Sequence, residues 1–139
     1  MIKGEIGRTM TESKQKQKLR MVVADDAPFI REIVRSLALK NDIDLVGEAV
    51  DGIEIVALVE ELKPDLVLMD IIMPRKNGIE ATKEIMQRFP KMKVVAFSTA
   101  DQETMVIRAL DAGCCNYIIK PFDGPALLAV IRKSFKSGK

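Results

Sequence analysis

The chain has 139 residues, 47% of them apolar and none of them histidine, and carries a net charge of +2. That length holds one ordinary hydrophobic core rather than two, and the missing imidazole excludes Ser-His-Asp and Cys-His catalysis together with any histidine-ligated metal. No apolar run approaches the roughly 20 residues of a membrane span or the apolar segment of a signal peptide, and the adjacent pair Cys114-Cys115 suits a reducing, cytoplasmic setting better than a disulfide or a zinc site.

Residues 1–18 read as a polar, basic leader. Lys3, Arg8, Lys14, Lys16, Lys18 and Arg20 against Glu5 and Glu12 place +4 on the first twenty residues and leave −2 on the rest. This is the composition of solvated sequence rather than of a nucleic-acid-binding arm. A single domain is expected over residues 19–137.

The domain opens with residues 19–24, a short apolar run that predicts a buried strand stopped by Asp25-Asp26. Pro28 then suits a first helical turn, and Phe29, Ile30, Ile33, Val34, Leu37 and Ala38 repeat at helical spacing up to about Lys40. Residues 45–50 predict a weaker strand near a sheet edge, since Gly47 and Glu48 interrupt it. Asp51-Gly52 turns the chain into a helical stripe of Ile55, Val56, Leu58, Val59 and Leu62, which ends before Lys63-Pro64.

Residues 65–69 form the most continuous buried run, and Asp70 closes it. A loop through Pro74 and Gly78 leads into a third helix that ends at Pro90. Residues 94–97 predict a fourth strand followed by Ser98, then a helix carrying Met105, Val106, Ala109 and Leu110, with Gly113 as its left-handed cap. Residues 117–119 predict a fifth strand ended by Lys120-Pro121, and Leu127, Leu128, Val130, Ile131 and Phe135 stripe a last helix. Five strand-then-helix repeats with right-handed crossovers predict a three-layer α/β sandwich, a doubly wound, mostly parallel sheet covered on both faces.

In such a sheet, ligands bind beyond the carboxyl ends of the strands. Asp25 and Asp26, Asp70, Ser98 and Lys120 all fall there. Two like charges about 4 Å apart repel by roughly 4 kcal/mol at an effective dielectric near 20, so gathered carboxylates call for a compensating cation. Oxygen donors without His or Cys favour Mg²⁺ over zinc. A carboxylate beside a divalent cation, a lysine and a hydroxyl is suited to receiving a phosphoryl group as nucleophile. Taken singly, each residue also has an ordinary reading: Asp25 or Asp26 as a helix N-cap, Ser98 as a cap or loop residue, Lys120 as a solvated charge.

The segments VVADDAPFIR, DLVLMDIIMPRKNGIE, VVAFSTA and AGCCNYIIKPF occur in an order and at separations that resemble the receiver domain of two-component response regulators, particularly the small stand-alone chemotaxis type, over residues 19–136. The resemblance implies a flavodoxin-like fold and a phosphoacceptor, Asp70, served by a histidine kinase. It implies Mg²⁺ held by Asp26 and Asp70, by Asp25 through water, and by the Ile72 backbone carbonyl. Lys120 would contact the phosphoryl group, Ser98 would donate its hydroxyl, and Tyr117 would switch between outward and inward rotamers; without the resemblance, Tyr117 reads equally as a core tyrosine with a satisfied hydroxyl.

By the same resemblance the protein is not a conventional enzyme, but catalyses its own Mg²⁺-dependent phosphorylation and a slow autodephosphorylation. It would be a cytoplasmic monomer that binds neither nucleic acid nor membrane. Its expected partners are the kinase, a phosphorylation-dependent target such as a flagellar motor switch protein, and a phosphatase. The alternative is a receiver belonging to a longer DNA-binding or enzymatic regulator. Asn77 and Lys76 stand where the family commonly has an acidic residue and a methionine. Ile72 and Ala100 occupy positions that tune phosphate loss and offer no group to orient water, which predicts a long-lived phosphoryl-aspartate. A phosphatase of the haloacid dehalogenase type would need a second aspartate where Ile72 stands, and DDAPF replaces the glycine-rich turn of a dinucleotide site. Cys114 and Cys115 read as small apolar filler.

Overall fold

Successive residues of a strand face opposite sides of a sheet, so an apolar run becomes a strand only where both faces are covered. The computed structural model, which describes residues 18–136, shows this arrangement, and the leader therefore lies almost wholly outside the described residues. The elements are β1 (Leu19–Ala24), α1 (Pro28–Lys40), β2 (Ile43–Ala49), α2 (Gly52–Leu62), β3 (Leu66–Met69), α3 (Gly78–Arg88), β4 (Lys93–Ser98), α4 (Glu103–Ala112), β5 (Asn116–Ile119) and α5 (Gly124–Lys136). All four strand pairings are parallel, in the order β2-β1-β3-β4-β5.

Two cores follow from the alternation. Val22, Ala24, Val67, Met69, Val94 and Ala96 pack with Ile55, Val59, Ile79, Ile85 and Ala109, which places α2, α3 and α4 on one face. Met21, Val23, Leu66, Leu68, Val95 and Phe97 pack with Val34, Ala38, Leu127 and Ile131, which places α1 and α5 on the other. The strand order reverses between β1 and β3, so the chain leaves those neighbours toward opposite faces and opens a crevice at their carboxyl ends. Among the described residues no helix is long and apolar enough to cross a membrane.

The expected elements are all present, with small differences. β2 begins at Ile43, two residues earlier than expected, because Ile43 is buried on the sheet edge while Asp44 points to solvent. Gly78 is already helical, and Asn77 caps α3 reciprocally with Glu80: the Glu80 amide donates to Asn77 Oδ1 at 2.9 Å and the Asn77 amide to Glu80 Oε1 at 3.0 Å. Cys114 is buried against the Thr82 hydroxyl, 3.7 Å away, but Cys115 is exposed. The filler reading therefore fails for Cys115, whose side chain faces solvent where that of Cys114 faces Thr82.

Candidate functional site

Three residues just past the strand ends remain bonded to the sheet through their backbone amides. Asp25 donates to the Ala49 carbonyl at 3.0 Å, Asp70 to Ala24 at 2.9 Å, and Lys120 to Ser98 at 2.9 Å. Each side chain thus starts from a position held by the neighbouring strand. Asp25, Asp26 and Asp70 each place one carboxylate oxygen within 4.8 Å of the others.

Neither acidic residue of the pair caps α1. The N-cap is Ala27, without a side-chain bond, and Pro28 needs no donor partner at the first turn. Asp25 instead accepts from the Ala27 amide at 2.9 Å through Oδ1 and from Lys120 Nζ at 2.5 Å through Oδ2, and is 1% exposed. Asp26 is exposed and has no side-chain partner among the described residues. Arg31, at the end of the first turn of α1, donates to the Asp25 carbonyl at 2.8 Å and sits 3.3 Å from Glu48 of β2, which tethers this loop to the sheet edge.

Asp70 is 5% exposed; its Oδ1 accepts from the Ile72 amide at 3.3 Å and its Oδ2 lies 3.5 Å from Lys120 Nζ. Burial, and then the Asp25 carboxylate, push the Asp70 carboxyl up to about 6 against the opposing pull of Lys120 and the Ile72 amide. Lys120 bridges the two carboxylates, and its ammonium also rests 4.7 Å from the centre of the Phe97 ring. The peptide bond between Lys120 and Pro121 is cis.

Gly78 brings the start of α3 against the carboxyl end of β3. A Cβ there would lie 2.2 Å from the Asp70 carbonyl oxygen and 2.8 Å from Ile71 Cα, so only glycine allows the approach. On the other side of Asp70, buried Ser98 accepts from the Ala100 amide at 3.2 Å, while the half-buried Tyr117 hydroxyl donates to the Ala100 carbonyl at 2.5 Å. Burial raises the Tyr117 phenol, opposed by its hydrogen bond with Ser98.

The donor set fits a hard divalent cation. It consists of carboxylate oxygens with no nitrogen or sulfur, and Asp26 is left without a protein partner among the described residues. Three carboxylates facing one ammonium also leave negative charge to be balanced.

The model of the response regulator receiver domain matches residues 21–132. The chain belongs to this family. The receiver is 41% identical to the chemotaxis protein CheY of Thermotoga maritima over 117 residues, covering 84% of the chain and 98% of the relative. It is 37% identical to the transcriptional regulatory protein DegU of Brevibacillus brevis, covering 93% of the chain but only 55% of that protein, so it spans about half the length of this second relative. Its fold matches the crystal structure of a CheX-CheY-BeF3-Mg complex from Borrelia burgdorferi with a TM-score of 0.82 and 25% identity, covering 84% of the chain and 89% of that one.

The receiver's fold thus gathers Asp25, Asp26, Asp70 and Lys120 at one rim. Ile72 stands beside Asp70 with a side chain 56% exposed and an amide turned to the carboxylate. Ser98 and Tyr117 meet at Ala100. Two polar partnerships beside this rim were not read from the sequence. Arg31 leaves no local signal, because its partners come from β1 and β2. Buried Asp51 was read only as part of a turn, although an aspartate three residues before Glu54 is a visible capping pattern, and its Oδ1 accepts from the Glu54 amide at 2.8 Å.

Proposed function

We propose that Asp70 is the phosphoacceptor of a two-component pathway and that the chain signals through phosphorylation-dependent protein binding. The observation that carries this reading is a buried carboxylate raised to about 6, set at the sheet rim between Lys120 and the Asp25-Asp26 pair. Above pH 6 the carboxylate is mostly ionised and is held by the Ile72 amide on one oxygen. An Asp70 oxygen attacks the phosphorus of a phosphohistidine on the kinase; the P–N bond breaks, its electron pair returns to the imidazole, and an acyl phosphate remains on Asp70.

Asp25, Asp26, Asp70 and the Ile72 carbonyl are the groups that would hold Mg²⁺. When bound, that cation supplies positive charge to the phosphoryl oxygens. Lys120 supplies a second positive charge from within the protein, and its bond to Asp25 keeps the ammonium beside the acceptor.

The Ser98 oxygen accepts from the Ala100 amide, and its hydroxyl proton can be turned toward a phosphoryl group on Asp70. A new bond from Ser98 to the phosphoryl group draws on the same Ala100 segment that holds the Tyr117 hydroxyl. A change at Asp70 thereby reaches Tyr117 on edge strand β5, and with it the surface of α4, β5 and α5. Residues 19–137 are taken as the receiver unit, acting as a monomer in the cytoplasm, with a histidine kinase as donor.

A chemotaxis or motility output, with a motor switch protein as target and a phosphatase to reset it, is favoured by similarity to a CheY over 98% of that relative's length. Membership of a longer transcriptional regulator is the second reading, favoured by the DegU-type relative, which is about twice as long as the matched region. Incubation with acetyl phosphate and Mg²⁺ tests the shared chemistry: intact mass should rise by one phosphoryl group in the wild type and not in D70N. Absence of an adduct, together with failed transfer from a phosphorylated kinase, would overturn the reading.

A further inference from the structure

Residues 71–77 leave the sheet after Asp70 and return at the start of α3, held at the base and at the tip, where the Lys76 ammonium also pairs with Glu84 of α3. At the base, the Gly78 amide donates to the Ile71 carbonyl at 2.8 Å. At the tip, Arg75 Nε is bonded to Asp51 Oδ2, and the next residue, Lys76, offers its carbonyl to the Gly52 amide at 2.8 Å.

The tip anchor has little slack. A Cβ on Gly52 would lie 2.4 Å from the Lys76 carbonyl oxygen, so the two backbones meet as closely as glycine permits. Asp51 is 2% exposed, and its second oxygen is committed to the Glu54 amide, so the carboxylate cannot turn away from Arg75. Arg75 itself holds φ at +64°, in the left-handed region that L-residues seldom enter. A guanidinium exposed over 57% of its side chain nevertheless reaches inward to a carboxylate exposed over 3%.

Ile72, Met73 and Pro74 lie between the anchors. The Ile72 amide is bonded to Asp70, and the Met73 side chain is buried. Displacing the tip therefore moves a short segment whose other end is already pinned, and the displacement falls on the backbone beside Asp70. A cap for α2 alone would need only the bond from Glu54; Arg75 adds nothing to that helix.

We propose, on the phosphoacceptor reading given above, that Asp51 and Arg75 are positioning residues for the Asp70 site: their ion pair holds the loop after β3 on the turn before α2 and so sets the Ile72 backbone for cation binding. Groups of this kind act at one remove from a metal, and their loss commonly weakens metal binding by about 10–100-fold.

The test is Mg²⁺ binding by isothermal titration calorimetry on the unphosphorylated 139-residue chain, with thermal melting alongside. R75N removes the charge while keeping a residue that tolerates positive φ, and D51N keeps an acceptor for the Glu54 amide. Each single variant is expected to bind Mg²⁺ about tenfold more weakly, at the low end of that range. The double variant should show no further loss, and R75K should recover most of it. K93A, which cuts the bond from Lys93 Nζ to the Phe135 carbonyl at the opposite end of the sheet, serves as the control and should leave Mg²⁺ affinity unchanged whatever it does to melting.

R75N decides the matter if D51N fails to fold, since Arg75 lies largely at the surface. R75N binding Mg²⁺ as tightly as the wild type overturns the positioning role and leaves the phosphoacceptor reading standing. A wild-type chain that binds no Mg²⁺ overturns both.

Discussion

Replacing Asp70 by Asn is expected to stabilise the cation-free protein at neutral pH. The Asp70 carboxyl is raised from 3.8 to about 6, by burial first and by Asp25 second. The native state therefore keeps its proton at pH values where the unfolded chain has lost it. Stability falls as pH rises from about 4 to about 6 and then levels off, because the native state binds more protons across that window. At 1.36 kcal/mol per pH unit, the separation between 3.8 and about 6 amounts to about 3 kcal/mol.

Asparagine removes the charge and keeps an oxygen for the Ile72 amide, while Lys120 retains its 2.5 Å bond to Asp25. The attraction to Lys120 at 3.5 Å is already contained in that raised value, so the gain near pH 7.5 is up to about 3 kcal/mol. Urea unfolding of both proteins in EDTA, at several values from about pH 4.5 to pH 8, should show a gap that opens through the window and then stays constant. Added Mg²⁺ should narrow it by stabilising the wild type more. A D70N protein no more stable than the wild type near pH 7.5, or a gap that does not change with pH, would refute the reasoning.

G78A places a methyl group 2.2 Å from the Asp70 carbonyl oxygen, where backbone rather than a flexible side chain must yield. It should cost about 1–3 kcal/mol in chemical denaturation and slow labelling by acetyl phosphate, and wild-type values for both would contradict the close packing described. I72N puts an amide on a side chain already 56% exposed beside the acceptor, and should speed release of phosphate from Asp70 several-fold; an unchanged rate would count against the role given to Ile72. Burial pushes the Cys114 thiol up to about 11, whereas Cys115 is exposed, so a thiol reagent near pH 7.5 should modify Cys115 alone in the native protein and both after denaturation. Prompt modification of both would mean that the seam between Thr82 and Cys114 opens readily.

The alternation of strands and helices was legible because each apolar run matches one period. The run before Asp70 is apolar on both faces, and the helical stripes place Ile55 with Val59, and Leu127 with Ile131, on the buried side. Ile43 escaped notice because a single buried residue beside exposed Asp44 does not make a run. The rim residues were legible as polar interruptions at strand ends, but their partners were not. Lys120 meets Asp25 across 95 positions of chain, a pairing created by strand order alone. The same holds for Arg75 and Asp51, whose local surroundings suggest a loop and a turn, and for Arg31, whose bond to the Asp25 carbonyl exists only once α1 has packed beside β1. Asp25 illustrates the opposite case: local preference favoured a helix cap, and the structure uses its oxygens for Lys120 and the Ala27 amide instead.

The amides of Asp25, Asp70 and Lys120 each continue a ladder that belongs to the sheet. The three side chains are consequently rooted at strand separation, a quantity that the outward-facing residues hardly touch. The outer faces of the helices and the tips of the loops can diverge to suit one partner or another while the backbone positions that carry the Asp70 carboxylate and the Lys120 ammonium stay the same. A protein built in this way can change whom it addresses without having to reinvent the chemistry by which it is told.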